Sequence, residues 1–368
     1  MLSSVFAKNT QKNTDGRITN VICNSAKQGL IPQREYFDKD IANSDNTSGY
    51  YIIEENDFVY NPRKSADAPY GPISSYKYTE AGIVSPLYLC FRAKKEINPS
   101  FFEWYFRSSA WHRYVYMSGD SGARHDRVSI KDDTFFAMPI NLPSAHEQEH
   151  IASFLERIDQ RIEKQRALVE SLKKYKRGLV KALISGTVAF ACSENKRWET
   201  VRLAEIFTIS AGGDIDRQNS SPTYSTSYPY PVYANALTNN GLYGYANYFK
   251  VEGDSITVSG RGEVGHAIAR HCKYVPIVRL LSLVPKYEDD VDFFAYMINA
   301  TSIYIESTGV PQLTSPQLGA VKVFRPPILE QKRISSLLLK IDAKIENEER
   351  LTFYLEKIRS SMLQQLFI

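Results

Sequence analysis

The stretch PSAHEQEHIASFLERIDQRIEKQRALVESLKKYKRGLVKALI, residues 143–184, returns in altered form as PPILEQKRISSLLLKIDAKIENEERLTFYLEKIRSSMLQQLF, residues 326–367. The two segments align without a gap at an offset of 183 positions, and 14 of their 42 positions are identical. An internal repeat of this kind indicates two copies of one structural element. The organisation of the rest of the chain follows from where these copies lie.

Each copy carries apolar residues spaced alternately four and three positions apart, which is the heptad pattern of a helix that packs against a partner helix. At 1.5 Å per residue, each copy predicts a helix of about 60 Å. The stripe is predicted to shift at the polar Gln165 onto Leu168. The residues expected to make the helix or partner contacts are Ile151, Leu155, Ile158, Ile162, Leu172, Ile334, Leu338, Ile341, Ile345 and Leu355.

The repeats divide the chain into a globular block (1–142), a long helix (143–186), a second block (187–325) and a second long helix (326–368). The two blocks differ in sequence but share a frame of strand-like runs followed by an aromatic, helical stretch. We therefore predict an α+β protein in which two mixed α/β domains are separated by two long helices.

Composition narrows the class of protein. The 368 residues are 43% hydrophobic and 23% charged, which is typical of a soluble globular chain, and no apolar run is long enough to span a membrane. The four cysteines are far apart and form no C-x-x-C pair, so we expect a reducing, cytoplasmic location and no bound metal. A net charge of +4 permits a polyanionic partner without requiring one.

Residues 259–267, SGRGEVGHA, contain the G-x-G-x-x-G spacing of a dinucleotide-binding loop. Such a loop should open a helix, with an acidic residue about 20 positions further on. The segment that follows is instead β-like and contains Pro276. We interpret the glycines as a tight loop between strands, with Arg261 placed to donate to guanine or to a phosphate. The alternative is a hairpin turn whose arginine is merely solvated.

The phrase P-x-x-x-E-Q, followed by Ile and then by I-D-x-x-I on a long helix, occurs twice and resembles the two central repeats of type I restriction–modification specificity subunits. The resemblance covers essentially the whole chain, although the globular blocks match mainly in frame. It implies that each block is a target recognition domain reading half of a bipartite DNA site, and that the helices pair as an antiparallel coiled coil. Only the second block has a lead-in, Arg197-Trp198, and the counterpart for the first is expected to be missing or C-terminal.

The resemblance also implies the partners. These are double-stranded DNA and two modification methyltransferase subunits, which dock on the helices and methylate adenine N6 with S-adenosylmethionine. It leaves open whether restriction subunits that use ATP and Mg join them. The chain itself is expected to bind no cofactor and to catalyse nothing, because it has neither a [DNS]-P-P-[YFW] methyltransferase motif nor the G-x-x-x-x-G-K-[ST] loop of an ATPase.

Donors that could contact DNA are predicted in the loops after the central strands, in the glycine-bearing loops before each last strand, and in the tyrosine- and asparagine-rich segment 228–249. Arginine suits guanine, and glutamine or asparagine suits adenine. A structural or merely solvated role is the alternative for each. The candidates are Arg63, Lys64, Arg124, Arg127, Asn235, Arg261 and Gln312.

Two other classes of protein stay open from the sequence. A scaffold with two helical arms would explain the repeats, but it would not explain two unlike, aromatic-rich blocks on one frame. A lone nuclease would need only scattered carboxylates. Duplex binding that weakens steeply with salt would distinguish a DNA reader from a scaffold.

Overall fold

The computed structural model describes residues 1–36, 47–119, 126–184, 198–301, 303 and 312–367. The chain forms two compact units, Met1–Arg166 with Arg350–Ile368, and Ala167–Glu349. Each unit contains one globular block, the first half of one long helix and the second half of the other. The predicted domain boundaries remain a division made from the sequence, because the compact units divide the chain inside both helices.

The first unit is built on two four-stranded sheets. Its strands are β1 (Phe6–Lys8), β2 (Val21–Ser25), β3 (Gly29–Pro32), β4 (Tyr51–Ile53), β5 (Phe58–Tyr60), β6 (Ile73–Ser75), β7 (Gly82–Val84) and β8 (Leu89–Ala93). Its short helices are α1 (Gln33–Tyr36), α2 (Pro99–Arg107), α3 (His112–Ser118) and α4 (Asp132–Phe136). The first long helix, α5 (Ala145–Ile184), follows.

The second unit has two four-stranded sheets and a two-stranded one. Its strands are β9 (Glu199–Arg202), β10 (Phe207–Ala211), β11 (Ser220–Ser221), β12 (Tyr230–Tyr233), β13 (Leu242–Ala246), β14 (Ser255–Val258), β15 (Ala267–Arg270), β16 (Val275–Pro276), β17 (Leu281–Pro285) and β18 (Lys322–Arg325). Its helices are α6 (Leu203–Ile206), α7 (Val291–Ala300), α8 (Ser315–Gly319) and the second long helix, α9 (Ile328–Leu366).

The two units share one sheet topology. The order β1-β8-β5-β6 in the first unit reappears as β10-β17-β14-β15 in the second, antiparallel throughout. The other four-stranded sheet of each unit contains one parallel pair, β2 with β7 and β12 with β16. The predicted common frame and the α+β class are therefore confirmed.

The cores are aromatic, and the long helices help to close them. In the first unit, the Phe6 ring lies edge-on to three phenylalanines, with the centroid of Phe102 5.0 Å away. Leu155 of α5 joins this cluster, and Phe367 reaches the Phe101 ring at 5.5 Å. In the second unit, α5 and α9 together supply Leu183, Ile184, Ile334 and Leu338 to the core. Burial of apolar side chains on this scale ties each helix to a globular block.

The repeated E-Q phrase forms the start of both long helices. The helices begin at Ala145 and Ile328, which are separated by the repeat offset of 183. In each, the glutamine side chain donates to the carbonyl of the proline five residues earlier: Gln148 to Pro143 at 2.9 Å and Gln331 to Pro326 at 2.8 Å. This bond fixes the path by which the chain enters the helix.

The two long helices run antiparallel, as predicted. Within the first unit, Asp159 pairs with Arg359, and Arg166 pairs with Glu356 at 2.5 Å. Within the second unit, Lys173 pairs with Glu349 at 2.8 Å, and Lys176 pairs with Asp342. In both cases the residue number on α9 falls as the number on α5 rises, which is the signature of antiparallel neighbours.

The predicted shift of the apolar stripe at Gln165 is wrong. Gln165 is buried, at 3% exposure, and the stripe continues through it to Val169, while Leu168 is left 41% exposed. A step of three and then four residues leads from Ile162 to Val169, so the unbroken heptad decides which side chains are covered. Of the ten predicted contact residues, Leu155, Ile162, Ile334, Leu338 and Ile345 are buried and the other five are half-buried.

Candidate nucleic-acid interface

A cleft of about 790 Å³ opens in the first unit, and three of the predicted DNA-contacting residues lie in it: Arg63, Lys64 and Arg127. Its wall is formed by the turn between β2 and β3, the loop after β5 and the segment before β8. The residues that line it are Cys23–Gln28, Asn61–Ser65, Asp67, Pro72, Ser85, Leu87, Tyr88 and Arg127. The predicted candidate Arg124 lies outside the described residues.

Backbone hydrogen bonds bring these cations together from distant parts of the chain. The Val128 N–H donates to the Pro62 carbonyl at 2.9 Å, and the Lys64 N–H donates to the Asp126 carbonyl at 2.9 Å. Arg63 and Arg127 therefore stand opposite each other as an antiparallel bridge. Asn61 shapes the loop, because its side-chain oxygen accepts from the Arg63 N–H at 3.1 Å.

The cleft carries a net positive charge. Lys27, Arg63, Lys64 and Arg127 line it against one lining carboxylate, Asp67, which Lys27 contacts at 3.6 Å. Within the described part of the chain, Arg63 and Lys64 have no ion-pair partner. Such an arrangement favours an anionic ligand.

Arg127 presents a donor that the protein leaves unused. Its Nε is buried and has no hydrogen-bond acceptor among the described residues, and the nearest carboxylate, that of Asp126, is 3.8 Å away. An unpaired buried donor is costly unless a ligand completes it. Nearby, burial raises the pKa of the Tyr88 phenol, so Tyr88 stays protonated in the cleft.

In the second unit the glycine loop joins two antiparallel strands, β14 and β15, rather than a strand and a helix. Gly262 and Gly265 have φ values of 70° and 87°, a region that favours glycine. A Cβ at Gly260 would lie 2.7 Å from the Arg279 carbonyl oxygen, so the backbones approach too closely for any other residue. The glycines thus serve chain reversal and close packing, and they leave Arg261 exposed between them.

Arg261 meets a second predicted residue, Gln312. Its Nη2 and Nε lie 3.0 and 3.3 Å from Gln312 Oε1. The Leu313 N–H donates to the Gly260 carbonyl at 2.9 Å, which anchors the segment that carries Gln312 beside the loop. The pair presents amide and guanidinium donors on one exposed edge of the unit.

Asn235 lies in the same place but is already engaged. Its side-chain oxygen accepts from the Gly260 N–H at 2.8 Å, and its side-chain nitrogen donates to the Val278 carbonyl. This geometry positions the glycine loop. A direct base contact by Asn235 would require those bonds to break.

The two units build these sites in the same way. In each unit, a carbonyl two residues after a central strand accepts a backbone hydrogen bond from a segment much later in the chain. Pro62, after β5, accepts from Val128, which precedes α4, and Gly260, after β14, accepts from Leu313, which precedes α8. The frame is common, whereas the side chains differ: two arginines and a lysine in one unit, and an arginine with a glutamine in the other.

Sequence reasoning missed two cations at these sites, Lys27 and Arg279. Val278 and Arg279 have φ values of 51° and 64°, which is unfavourable for a β-branched residue and marks a strained turn. The turn brings the exposed Arg279 next to Gly260. The sequence predicts only a β-like segment here, and no local signal in it indicates the turn.

Some other kinds of site leave no trace in the described residues. No group of three or more His, Cys, Asp or Glu side chains there is arranged to hold a metal ion. In the same parts of the chain, no helix is both long and apolar enough to cross a membrane.

Two related proteins are both named as specificity subunits of type I systems. A relative from Mycoplasma pneumoniae, named as a type I specificity subunit (S.MpnORF507P), is 25% identical over 246 residues, which are 66% of this chain and 64% of the relative. One from Methanocaldococcus jannaschii, named as the MjaX specificity subunit, is 27% identical over 66% of this chain and 61% of its own length. The chain thus matches less than two thirds of the length of these curated relatives.

Solved structures share the fold over nearly the whole chain. A chain from the structure of a type I R-M system has a TM-score of 0.66 at 17% identity, and the match covers 99% of this chain and 95% of that one. The HsdS subunit from Thermoanaerobacter tengcongensis has a TM-score of 0.58 at 17% identity over 100% of this chain and 95% of its own.

The model of the type I restriction modification DNA specificity domain matches this sequence twice, at residues 6–173 and 195–357. Each match contains nearly all of one globular block and the larger part of the long helix that follows it. With both copies of the domain and the repeated helices accounted for, the chain belongs to the type I restriction–modification DNA specificity family.

Proposed function

We propose that this chain is the DNA-reading subunit of a type I restriction–modification complex, in which each unit reads one half of a bipartite double-stranded site. The observation that carries the proposal is the shared construction of the two sites. One backbone frame presents Arg63, Lys64 and Arg127 in the first unit and Arg261 with Gln312 in the second. Two readers of different half-sites need a common scaffold with different donors.

In this proposal the long helices set the number of unread base pairs between the half-sites. They also provide the surface on which two methyltransferase subunits dock. The methyl transfer from S-adenosylmethionine to adenine belongs to those partners, and any step that consumes ATP in the presence of Mg belongs to restriction subunits where these join the complex. The role of this chain is non-catalytic: it binds DNA and positions the enzyme subunits on it.

The test is a long-read map of methyladenine in the host genome, with the gene intact, deleted, and carrying a foreign block in place of residues 1–142. Deletion should remove methylation from one bipartite motif. The exchanged block should change one half of that motif and leave the other half as it was. The foreign block must be chosen to pack on Leu155 and Phe367, which join the core of the first unit.

A deletion that leaves the methylation map unchanged, while the partner methyltransferase is expressed, would contradict the proposal. An exchange of residues 1–142 that alters both half-sites would contradict the assignment of one half-site to each unit. A second exchange, of residues 187–325, serves as the reciprocal control and should alter only the other half-site.

A further inference from the structure

Four ion pairs between the long helices are related two by two through the repeat. Adding 183 to Asp159 and subtracting 183 from Arg359 gives Asp342 and Lys176, which also form an ion pair, with the acid and the base in the same places. The same operation on Arg166 and Glu356 gives Glu349 and Lys173. That pair is also formed, but its charges are reversed.

Several apolar contacts are common to the two helices, although the buried Val169 corresponds to Thr352 and the buried Leu183 corresponds to Leu366, which is 37% exposed. Leu179 and Val180 pack on the core of the second unit, and the residues at the equivalent positions, Met362 and Leu363, pack on the core of the first. Leu155 and Leu338 are identical and both fully buried. Judged by these contacts alone, a second copy of α5 could take the place of α9.

The reversed ion pair does distinguish them. If a second α5 replaced α9, Lys173 would stand where Glu356 stands, opposite Arg166. If a second α9 replaced α5, Glu356 would face Glu349. Each helix would therefore meet its own copy with like charges, whereas the Asp159 and Asp342 positions would still face bases, Lys176 and Arg359. The selection therefore lies in the two ion pairs Arg166–Glu356 and Lys173–Glu349.

We propose that Arg166, Lys173, Glu349 and Glu356 select the pairing of α5 with α9 over the pairing of either helix with a copy of itself. The partner that these residues reject is the same half of a second chain. Specificity is a difference between pairings, so it requires repulsion in the wrong one as well as attraction in the right one. The inference goes beyond DNA reading and does not depend on it.

The selection should be stronger for α9 than for α5. On α5, each cation has a second acidic neighbour, Glu163 at 2.7 Å from Arg166 and Glu170 at 3.5 Å from Lys173, which moderates repulsion between two copies. On α9, Phe353 stands at the position equivalent to Glu170. Neither Phe353 nor Glu346, the residue equivalent to Glu163, is basic, so these two positions of α9 would not moderate the repulsion of Glu349 and Glu356 between two copies.

The test begins with the folded full chain, with a protease site inserted within residues 185–197. After cleavage the two fragments are held by their contacts alone, and native mass spectrometry counts unlike pairs against pairs of identical fragments. Wild-type fragments should stay as unlike pairs. The double variant K173E/E349K keeps the ion pair at that contact with its charges exchanged, but it makes both self-pairings attractive. It should form pairs of identical fragments.

In the wild type, two complexes of unlike fragments contain four attractive charge contacts. Exchange into two complexes of identical fragments replaces these by four repulsive contacts. At a few tenths of a kcal/mol for each surface pair, the exchange equilibrium should shift by roughly tenfold to a hundredfold in the double variant. The mirror variant R166E/E356R should behave in the same way. Both uncleaved double variants should keep thermal midpoints close to that of the wild type.

Mixing isotopically labelled with unlabelled cleaved wild type sets the incubation time and temperature, because it shows when fragments exchange between molecules. Under those conditions, two results would overturn the proposal. One is a wild type that re-sorts into identical pairs. The other is a pair of double variants that exchange as freely as the wild type and still form unlike pairs as exclusively.

Discussion

At the scale of single residues, Arg127 is the described residue whose surroundings most clearly indicate a bound ligand. Its buried Nε has no acceptor among the described residues, and it lies in a cleft with the unpaired cations Arg63 and Lys64. A phosphate or a base edge would satisfy this nitrogen and neutralise the charge. A cation that only solubilised the surface would not need a buried donor.

Arg127→Ala should weaken binding of the purified chain to a duplex containing its site by about 10-fold, a change within the 1–3 kcal/mol of a lost base or phosphate contact. If the contact is to a phosphate, the slope of log K against log salt should fall by about 1. Fluorescence anisotropy over a salt series measures both quantities. The control is Arg17→Ala, an exposed arginine of the same unit that pairs with Asp15; equal losses in the two variants would remove Arg127 from the interface.

His271 provides a test of stability against pH. Burial is the largest influence on its pKa and lowers it, but the hydrogen bonds and charges of Asp254 and Asp292 together raise the pKa above 6.5. The contribution to stability is therefore fully present below pH 6.5 and is lost as pH rises through the raised value.

We expect the thermal midpoint of the wild type to exceed that of His271→Gln by about 2 °C at pH 6, and by less at pH 8.5. The difference is small because His271 is half-exposed, so solvent screens its ion pairs with the two aspartates. Differential scanning calorimetry at the two pH values measures the difference. A gap that widened toward pH 8.5 would show that the two aspartates do not hold the protonated form.

At the scale of elements, the glutamine of the repeated E-Q phrase has different hydrogen-bond partners at the starts of the two long helices. Gln148 is part-buried, and among the described residues its side chain bonds only to the Pro143 carbonyl, at the start of α5. Gln331, at 1% exposure, also donates to Asp289 at 3.1 Å and accepts from the Asp290 N–H at 2.9 Å. It thus links the start of α9 to the start of α7, where Asp289 is also held by Arg325.

Gln331→Ala should lower the free energy of unfolding by about 2–4 kcal/mol, because it removes the glutamine as partner of the Asp290 N–H and the Pro326 carbonyl and removes one of the bonds to Asp289. Gln148→Ala, the same substitution at the equivalent position, should cost about 1 kcal/mol or less. Urea unfolding monitored by circular dichroism compares them. Similar losses in the two variants would mean that the extra bonds of Gln331 contribute nothing.

Most of this fold follows from local patterns, and the exceptions are instructive. The two long helices and the strand–glycine–strand loop at Arg261 rest on short-range signals of period and turn chemistry. The sheet order, in contrast, pairs strands as far apart in the chain as β1 and β8. The burial of Val169 in place of Leu168 depends on the heptad running through a glutamine, which hydrophobicity alone hides. The meeting of Arg63 with Arg127, and the turn at Val278 and Arg279, depend on contacts between distant segments, which no local pattern encodes.

At the scale of the whole molecule, the proposed function makes the helices a ruler. Seven residues inserted in the middle of each long helix add about 10.5 Å, which corresponds to about 3 base pairs. The methylated motif should then keep both half-sites and gain about 3 unread base pairs between them. A methylation map of a strain with the lengthened gene measures this. A map with altered half-sites would show that the helices influence base reading and not only distance.

The way the two units divide the chain also bears on the order in which the protein is made. The second unit, Ala167–Glu349, is continuous, whereas the core of the first includes Met362, Leu363 and Phe367. On the ribosome, the block synthesised first must therefore wait for the last residues before its core is closed, while the later unit is complete in itself. The first unit depends on contacts between residues more than 200 positions apart, such as Phe101 and Phe367, so it should be the slower of the two to fold. The aromatic side chains of the first unit should therefore stay exposed to solvent longest in a newly made chain. A chaperone that binds exposed apolar side chains would be expected to act there.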